Sequence, residues 1–245
     1  MRFADKVVIV TGAGSGIGLA TSLRFGAEGA LVALVDRDAA ALPAAAARVR
    51  EQGCREVAEF VCDVGVEADV TRTVEQVLSR FGRLDVVVNN AGLMFFTPIE
   101  ELTGADWLRV LQVDLLGAFF FIKQAFLHMP QGGAIINLSS VHALETEPLV
   151  APYAAAKAAL LSLTRSSALE GKPKGIRVNA VVPGAVDTPM LWNNPDVQSG
   201  VEKIDAADVG KPEDVAAAIA FLASSDAAFI QGAALLVDGG RLCRL

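Results

Sequence analysis

The chain has 245 residues, 53% hydrophobic and 20% charged, enough to bury one sizeable core without metals or disulfides. Its 21 Lys and Arg stand against 28 Asp and Glu, and the net charge of −7 has the wrong sign for a phosphate backbone, so nucleic acid is not an expected partner. Cys54, Cys62 and Cys243 are too few and too scattered for a disulfide framework or a zinc site, so they read as packing residues and no metal is expected.

The first apolar run, Val7–Val10, is too short for a signal segment and follows Asp5, where a signal peptide carries only positive charge. No run of about 18 apolar residues is free of charge or helix breakers, so no membrane span is expected; the expected location is the cytoplasm. Further short, β-branched runs follow at Leu31–Val35, Glu56–Val61, Leu84–Val88, Ala134–Leu138, Ile176–Val182 and Ala233–Val237. Each is nearly all apolar rather than alternating, which suits strands covered on both faces. Between them lie helix-like segments at Ile17–Glu28, Ala39–Gln52, Glu67–Phe81, Asp106–His128, Pro152–Leu169 and Pro212–Ala223. Asp106 is placed to cap the fourth of these, and Pro212 is a tolerated first-turn proline followed by Glu213 and Asp214 at the positive helix end. This β/α alternation predicts an α/β fold, a Rossmann-type doubly wound parallel sheet flanked by helices in a single domain spanning 1–245. Residues 188–209, rich in Asn, Asp, Pro and Gly, read as a mobile substrate flap, because loops of that length in compact domains are commonly lids or disordered.

Thr11-Gly12-Ala13-Gly14-Ser15-Gly16-Ile17-Gly18 follows the first strand and opens a helix. Glycines there permit a tight turn and close approach to a pyrophosphate, while the helix start presents unpaired N–H groups. Alone this is weak, since any tight turn can use glycine. Asp36 closes the second strand roughly 20 residues further on, where a carboxylate bonds a ribose diol and repels a 2′-phosphate. NAD is therefore expected over NADP, although the adjacent Arg37 could attract that phosphate.

With Asp63-Val64, Asn89-Asn90-Ala91-Gly92, Asn137-Leu138-Ser139-Ser140, Tyr153-Ala154-Ala155-Ala156-Lys157, Pro183-Gly184 with Thr188, and Asp238-Gly239-Gly240, the chain resembles a classical short-chain dehydrogenase/reductase over essentially its full length. The resemblance implies that Asp63 and Val64 lie beside the adenine, that Asn90, Ala91, Gly92 and Val113 border the cofactor cleft, and that Pro183, Gly184, Val186 and Thr188 hold the nicotinamide end. Tyr153 and Lys157 would also touch the cofactor.

A tyrosine and a lysine four residues apart share one helix face. A free phenol titrates near 10, so neighbouring positive charge from Lys157 and an oxidised nicotinamide would be needed to make it a base near neutrality. Tyr153 is thus the candidate acid/base, and Ser140 the group that orients the substrate oxygen. The family usually carries an asparagine where this chain has Asp114, at a position that helps to link the lysine to a proton relay. An ionised Asp114 would hold Lys157 charged while opposing phenolate formation.

Substrate candidates are Met94, His142, Leu144, Val150, Met190 and Trp192, with Leu93, Phe95 and Glu145 beside them. A similar histidine occurs in family members acting on sugars and short hydroxy acids. The latter also carry a lysine and a glutamine where this chain has Val150 and Met94, so a neutral secondary alcohol, ketone or polyol is expected. A 3-oxoacyl-thioester reductase is the enzymatic alternative, and an NAD(H)-binding sensor the non-enzymatic one. The family is mostly tetrameric, and a homotetramer is expected here: Phe119, Phe120, Phe121 and Phe126 load the middle helix, a stripe that fits either an interface or a core. A mean hydropathy of +0.44 agrees with apolar surface buried between subunits.

Overall fold

Seven apolar runs become strands of one parallel sheet, whose central strands are covered by helices on both faces, while the edge strands at Val57–Val61 and Ala234–Val237 keep exposed residues. The computed structural model describes residues 1–200, 205 and 208–243. The strands are β1 (Val7–Thr11), β2 (Leu31–Asp36), β3 (Val57–Val61), β4 (Val86–Asn89), β5 (Ala134–Leu138), β6 (Arg177–Pro183) and β7 (Ala234–Val237), in the order β3-β2-β1-β4-β5-β6-β7. Residues of β1 and β5 are buried throughout. The order reverses between β1 and β4, and a doubly wound sheet binds ligands at the carboxyl edge of such a switch point.

Helices α1 (Gly16–Ala27), α2 (Leu42–Glu51) and α3 (Glu67–Phe81) follow the first three strands. The predicted helix 106–128 differs from expectation in two ways. Its first part, α4 (Gly104–Leu111), is capped by Thr103, whose hydroxyl accepts from the Asp106 N–H while the Asp106 carboxylate accepts from the Thr103 N–H. Asp106 is therefore the third helical residue of a capping box rather than the cap itself. The helix then widens into a π-helical segment, Gln112–Leu116, before continuing as α5 (Gly117–His128). The stretch Gly104–His128 is long and apolar enough, by length and composition, to cross a membrane, but half of its apolar window is buried inside the fold. That burial is the mark of a core helix, and Asp114 and Gly117 interrupt its apolar run.

Helix α6 (Ala151–Gly171) packs beside this segment, and α9 (Pro212–Ala223) packs against α1. The predicted flap holds α7 (Pro189–Trp192) and α8 (Pro195–Ser199), each with a proline at its start. Its base is closed by pairing of Val186 with Gly210, while 201–204, 206 and 207 lie outside the described residues.

Gly18 holds the switch point together: a Cβ there would lie 2.0 Å from the Gly12 carbonyl oxygen and 2.6 Å from Asn90 Nδ2. Gly18→Ala must therefore displace the β1–α1 turn, at a cost of about 1–3 kcal/mol. A urea midpoint lowered together with weakened NADH binding is the expected result.

Candidate active site

A cleft of about 360 Å³ runs along the carboxyl edge of the sheet. At one end lie Gly12, Ser15, Gly16 and Ile17. Gly12 and Gly16 have φ of +65° and +52°, a conformation that side chains disfavour. Ser15 occupies the N-cap of α1 without a side-chain cap, so the first helical N–H groups remain available to an anion. A Cβ on Gly12 would come within 2.8 Å of Asn90 Nδ2 and 3.1 Å of Ala91 Cα. The turn is thus a smooth backbone cradle next to a helix start, and it fits a pyrophosphate. Gly18 does not line the cleft and acts beneath it, through the close packing described above.

Asp36 lies at the same end, its Oδ2 accepting from Gly14 N (2.9 Å) and its Oδ1 from Asp38 N (3.0 Å). These bonds fix a carboxylate beside the glycine turn. Arg37 lines the cleft next to it. Further along are Cys62, Asp63 and Val64. The Asp63 carboxylate is gripped by Arg109 at 2.9 Å and by Gly65 N at 2.9 Å. Burial would raise its pKa, but the bonds from Arg109 and Gly65 outweigh it and hold Asp63 below the usual carboxylate range. Arg109 was not apparent from the sequence, because it reaches Asp63 from α4, 46 residues away.

Asn90, Ala91, Gly92 and Val113 line the floor. Asn90 also stitches the two central loops: its Nδ2 donates to the carbonyls of Thr11 and Gly12 (2.8 and 3.3 Å), and Thr11 Oγ1 accepts from the N–H groups of Asn90 and Ala91 (2.9 and 3.0 Å). The opposite wall carries Pro183, Gly184, Val186 and Thr188.

Ser140, Tyr153 and Lys157 meet where β5 ends and α6 begins, and all three line the cleft. The registry of α6 against β5 is set by polar bonds in the core. Asn137 Nδ2 donates to Thr164 Oγ1 (2.9 Å), and Ser139 Oγ to the Lys157 carbonyl (2.9 Å). Lys157 Nζ donates to the Leu138 carbonyl (3.0 Å), stands 3.2 Å from Asp114 Oδ2 and lies 5.3 Å from the centre of the Tyr153 ring. Asp114 does not line the cleft; it borders a small separate void. Burial pushes the Tyr153 phenol up, Asp114 pushes it further, and Lys157 and the Ser140 hydroxyl pull against both. Without a cofactor, the phenol therefore stands above its ordinary value.

The substrate end is lined by Leu93, Met94, His142 and Met190 from the expected set. The His142 ring meets Tyr153 edge-on, 5.9 Å between centres. Three of the expected residues lie elsewhere. Val150 is fully buried in the core and Leu144 is 59% exposed, while Trp192 points its indole N–H to Asp187 at 2.7 Å. Phe95 packs with Met94 around Tyr153, and Glu145 is exposed. In their place stand Glu147, Asn194 and Arg241. Asn194 Nδ2 reaches Glu147 Oε1 at 3.4 Å, joining the loop before α6 to the loop after α7. No local pattern in the sequence announces a contact between residues 47 apart.

A family model described as enoyl-(acyl carrier protein) reductase matches residues 12–241. Cis-4-hydroxycyclohexanecarboxylate dehydrogenase of Sinomonas cyclohexanicum is 42% identical, over 97% of this chain and 97% of its own. A crystal structure of levodione reductase is 37% identical and aligns over 100% of both chains with a TM-score of 0.93. A Burkholderia cenocepacia short-chain dehydrogenase solved in complex with NADP is 32% identical over 98% of both, with a TM-score of 0.90. The chain belongs to the short-chain dehydrogenase/reductase family of oxidoreductases, which act on CH–OH groups with a nicotinamide cofactor.

Proposed function

We propose that the chain interconverts a neutral secondary alcohol and its ketone, polyols and sugars included, using NAD(H), with Tyr153 as the acid/base. One observation carries this reading: Ser140, Tyr153 and Lys157 line a single cleft with the glycine turn and Asp36. The bound nicotinamide would supply the hydride acceptor or donor. The Ser140 hydroxyl is placed to hydrogen-bond the substrate oxygen, and the Tyr153 phenol exchanges the proton with it. The Lys157 ammonium favours the phenolate, and Tyr153 is only 8% exposed, which keeps bulk water from competing for that proton.

The preference for NAD is supported by the fixed Asp36 carboxylate, which opposes a 2′-phosphate. Arg37 on the same wall works the other way. One of the relatives reported above is named for a hydroxyl on a cyclohexane ring, in keeping with a secondary alcohol as the reacting group. A 3-oxoacyl-thioester reductase is the second reading, and the acyl carrier protein in the description of the matching family model bears on it only through the thioester carrier; turnover of 3-oxoacyl thioesters with NADPH would establish it. Cofactor binding with no turnover of any substrate would instead indicate a sensor.

Oligomerisation is part of the same proposal. Phe121 is buried in the core, but Phe119, Leu127, Phe229 and Leu236 remain exposed, which supports a homotetramer. Light scattering should give four times the 25.6 kDa chain mass; the monomer mass would overturn this.

In a panel of secondary alcohols, ketones, polyols and acyl thioesters, turnover should be highest with the first three. Tyr153→Phe should lower kcat/KM by about 10²- to 10⁴-fold while NADH binding persists. Asp36→Ser should raise kcat/KM with NADPH about tenfold, equivalent to roughly 1.4 kcal/mol. Unchanged cofactor selectivity would remove Asp36 from that role.

A further inference from the structure

Asp114 occupies a place that the chemistry above leaves unused. Its side chain is 0% exposed and that of Lys157 is 4% exposed, with 3.2 Å between Oδ2 and Nζ. Oδ1 accepts from the Leu93 N–H at 2.8 Å, which pins the carboxylate to the loop that lines the cleft. Oδ2 has the Lys157 ammonium as its partner, at 3.2 Å. The π-helical segment turns this residue inward, and such widened turns recur at functional sites. A Cβ on Gly92 would stand 3.2 Å from Oδ2 and 3.4 Å from Nζ, so glycine there leaves the two charges their contact.

We infer that Asp114 is a positioning residue that neutralises Lys157, so that the site carries no net charge before cofactor binds and works near neutral pH as a ketone reductase, with alcohol oxidation confined to alkaline pH. The inference rests on the proposed role of Tyr153. A lone ammonium beside a phenol favours phenolate, whereas an ammonium already paired with a carboxylate does so far less. Reduction needs the phenol protonated, and oxidation needs it ionised. Raising the phenol's pKa therefore widens the pH range for reduction and shifts the onset of oxidation upward. Burial would lower Lys157, but Asp114 and Tyr153 raise it, while burial lifts Asp114 against the pull of Lys157. The three groups titrate as a unit.

The charged and titratable groups around the phenol are few. Lys157 comes from its own helix, Asp114 from the π-helical segment and His142 from the turn after β5. Glu147 and Arg241 stand on the outer wall of the same cleft. Besides Asp114 itself, the small void beside it is lined by uncharged residues.

Tyr153 is the only tyrosine in the chain, so ultraviolet difference spectroscopy follows its ionisation directly. In the cofactor-free protein the phenol should titrate above 10, and in Asp114→Asn at least about one unit lower. The midpoint of the oxidation pH profile, each variant scaled to its own plateau, should fall by a similar amount, giving about tenfold more of the plateau rate below that midpoint. A merely structural role would lower kcat without moving either midpoint. If Asp114→Asn does not fold, the wild-type titration decides: a phenol ionising below 10 without cofactor overturns the inference. Unmoved midpoints in Asp114→Asn also overturn it, and leave Asp114 a structural role. Persistent turnover by Tyr153→Phe would instead defeat the role of Tyr153, and so the two failures are distinct.

Discussion

Lys157 holds a charge where almost no water reaches it, its residue only 3% exposed. An ion buried to that degree is tolerated only with partners on every side. Here the partners are the Leu138 carbonyl and the Asp114 carboxylate, and neither is available without a long chain of prior arrangements. Strand β5 must end in register with β4, where Asn89 pairs with Asn137 and donates to its side chain at 2.8 Å. Helix α6 must sit at one depth on β5, as the Asn137–Thr164 and Ser139–Lys157 bonds require. The middle helix must widen by one residue to aim Asp114 inward. The buried charge thus ties the positions of two strands and two helices to one another.

Much of this was legible in the sequence, for physical reasons that differ from element to element. Fully apolar runs such as Val7–Val10 and Ala134–Leu138 have few alternatives to a covered parallel strand, and they form β1 and β5. The spacing of Tyr153 and Lys157 specifies one helix face, and the glycine turn followed by Asp36 marks the cofactor end. The π-helical widening was hidden, because a helix apolar on most of its sides has no phase in which an extra residue shows. Thr103-x-x-Asp106 is a capping-box pattern, and Thr103 rather than Asp106 is the cap. Val150 looked accessible because it shortly precedes the tyrosine. It is instead the N-cap of α6 and packs in the core, directly after Leu149 at a φ of +70°. The outer wall was unreadable for a different reason: Glu147, Asn194 and Arg241 come from three loops, and nothing local links them.

The two ends of the cleft differ in construction. At the cofactor end the contacts are backbone turns and strand tips, fixed by the sheet. Arg109 adds a side-chain brace on Asp63 from α4, the same helix that leads into the Asp114 segment. At the substrate end, loops meet one another across the opening, with Asn194 reaching Glu147 over 3.4 Å. An apolar lining of Leu93, Met94 and Met190 is interrupted there by a carboxylate, an amide and a guanidinium, a mixture that orients a ligand through few polar points.

The stitch between Thr11 and Asn90 gives this division an evolutionary meaning. Because Asn90 binds the carbonyls of Thr11 and Gly12 while Thr11 receives the N–H groups of Asn90 and Ala91, the cofactor cradle and the floor of the catalytic site form one mechanical piece. A substitution at Thr11 or Asn90 therefore disturbs both at once. Asp36 takes no part in the stitch but is tied to the cradle through Gly14 N, whereas the loops carrying Glu147 and Asn194 lie beyond it. A change in the substrate loops can therefore leave the frame untouched, whereas a change at Asp36 also loosens a bond to the cradle.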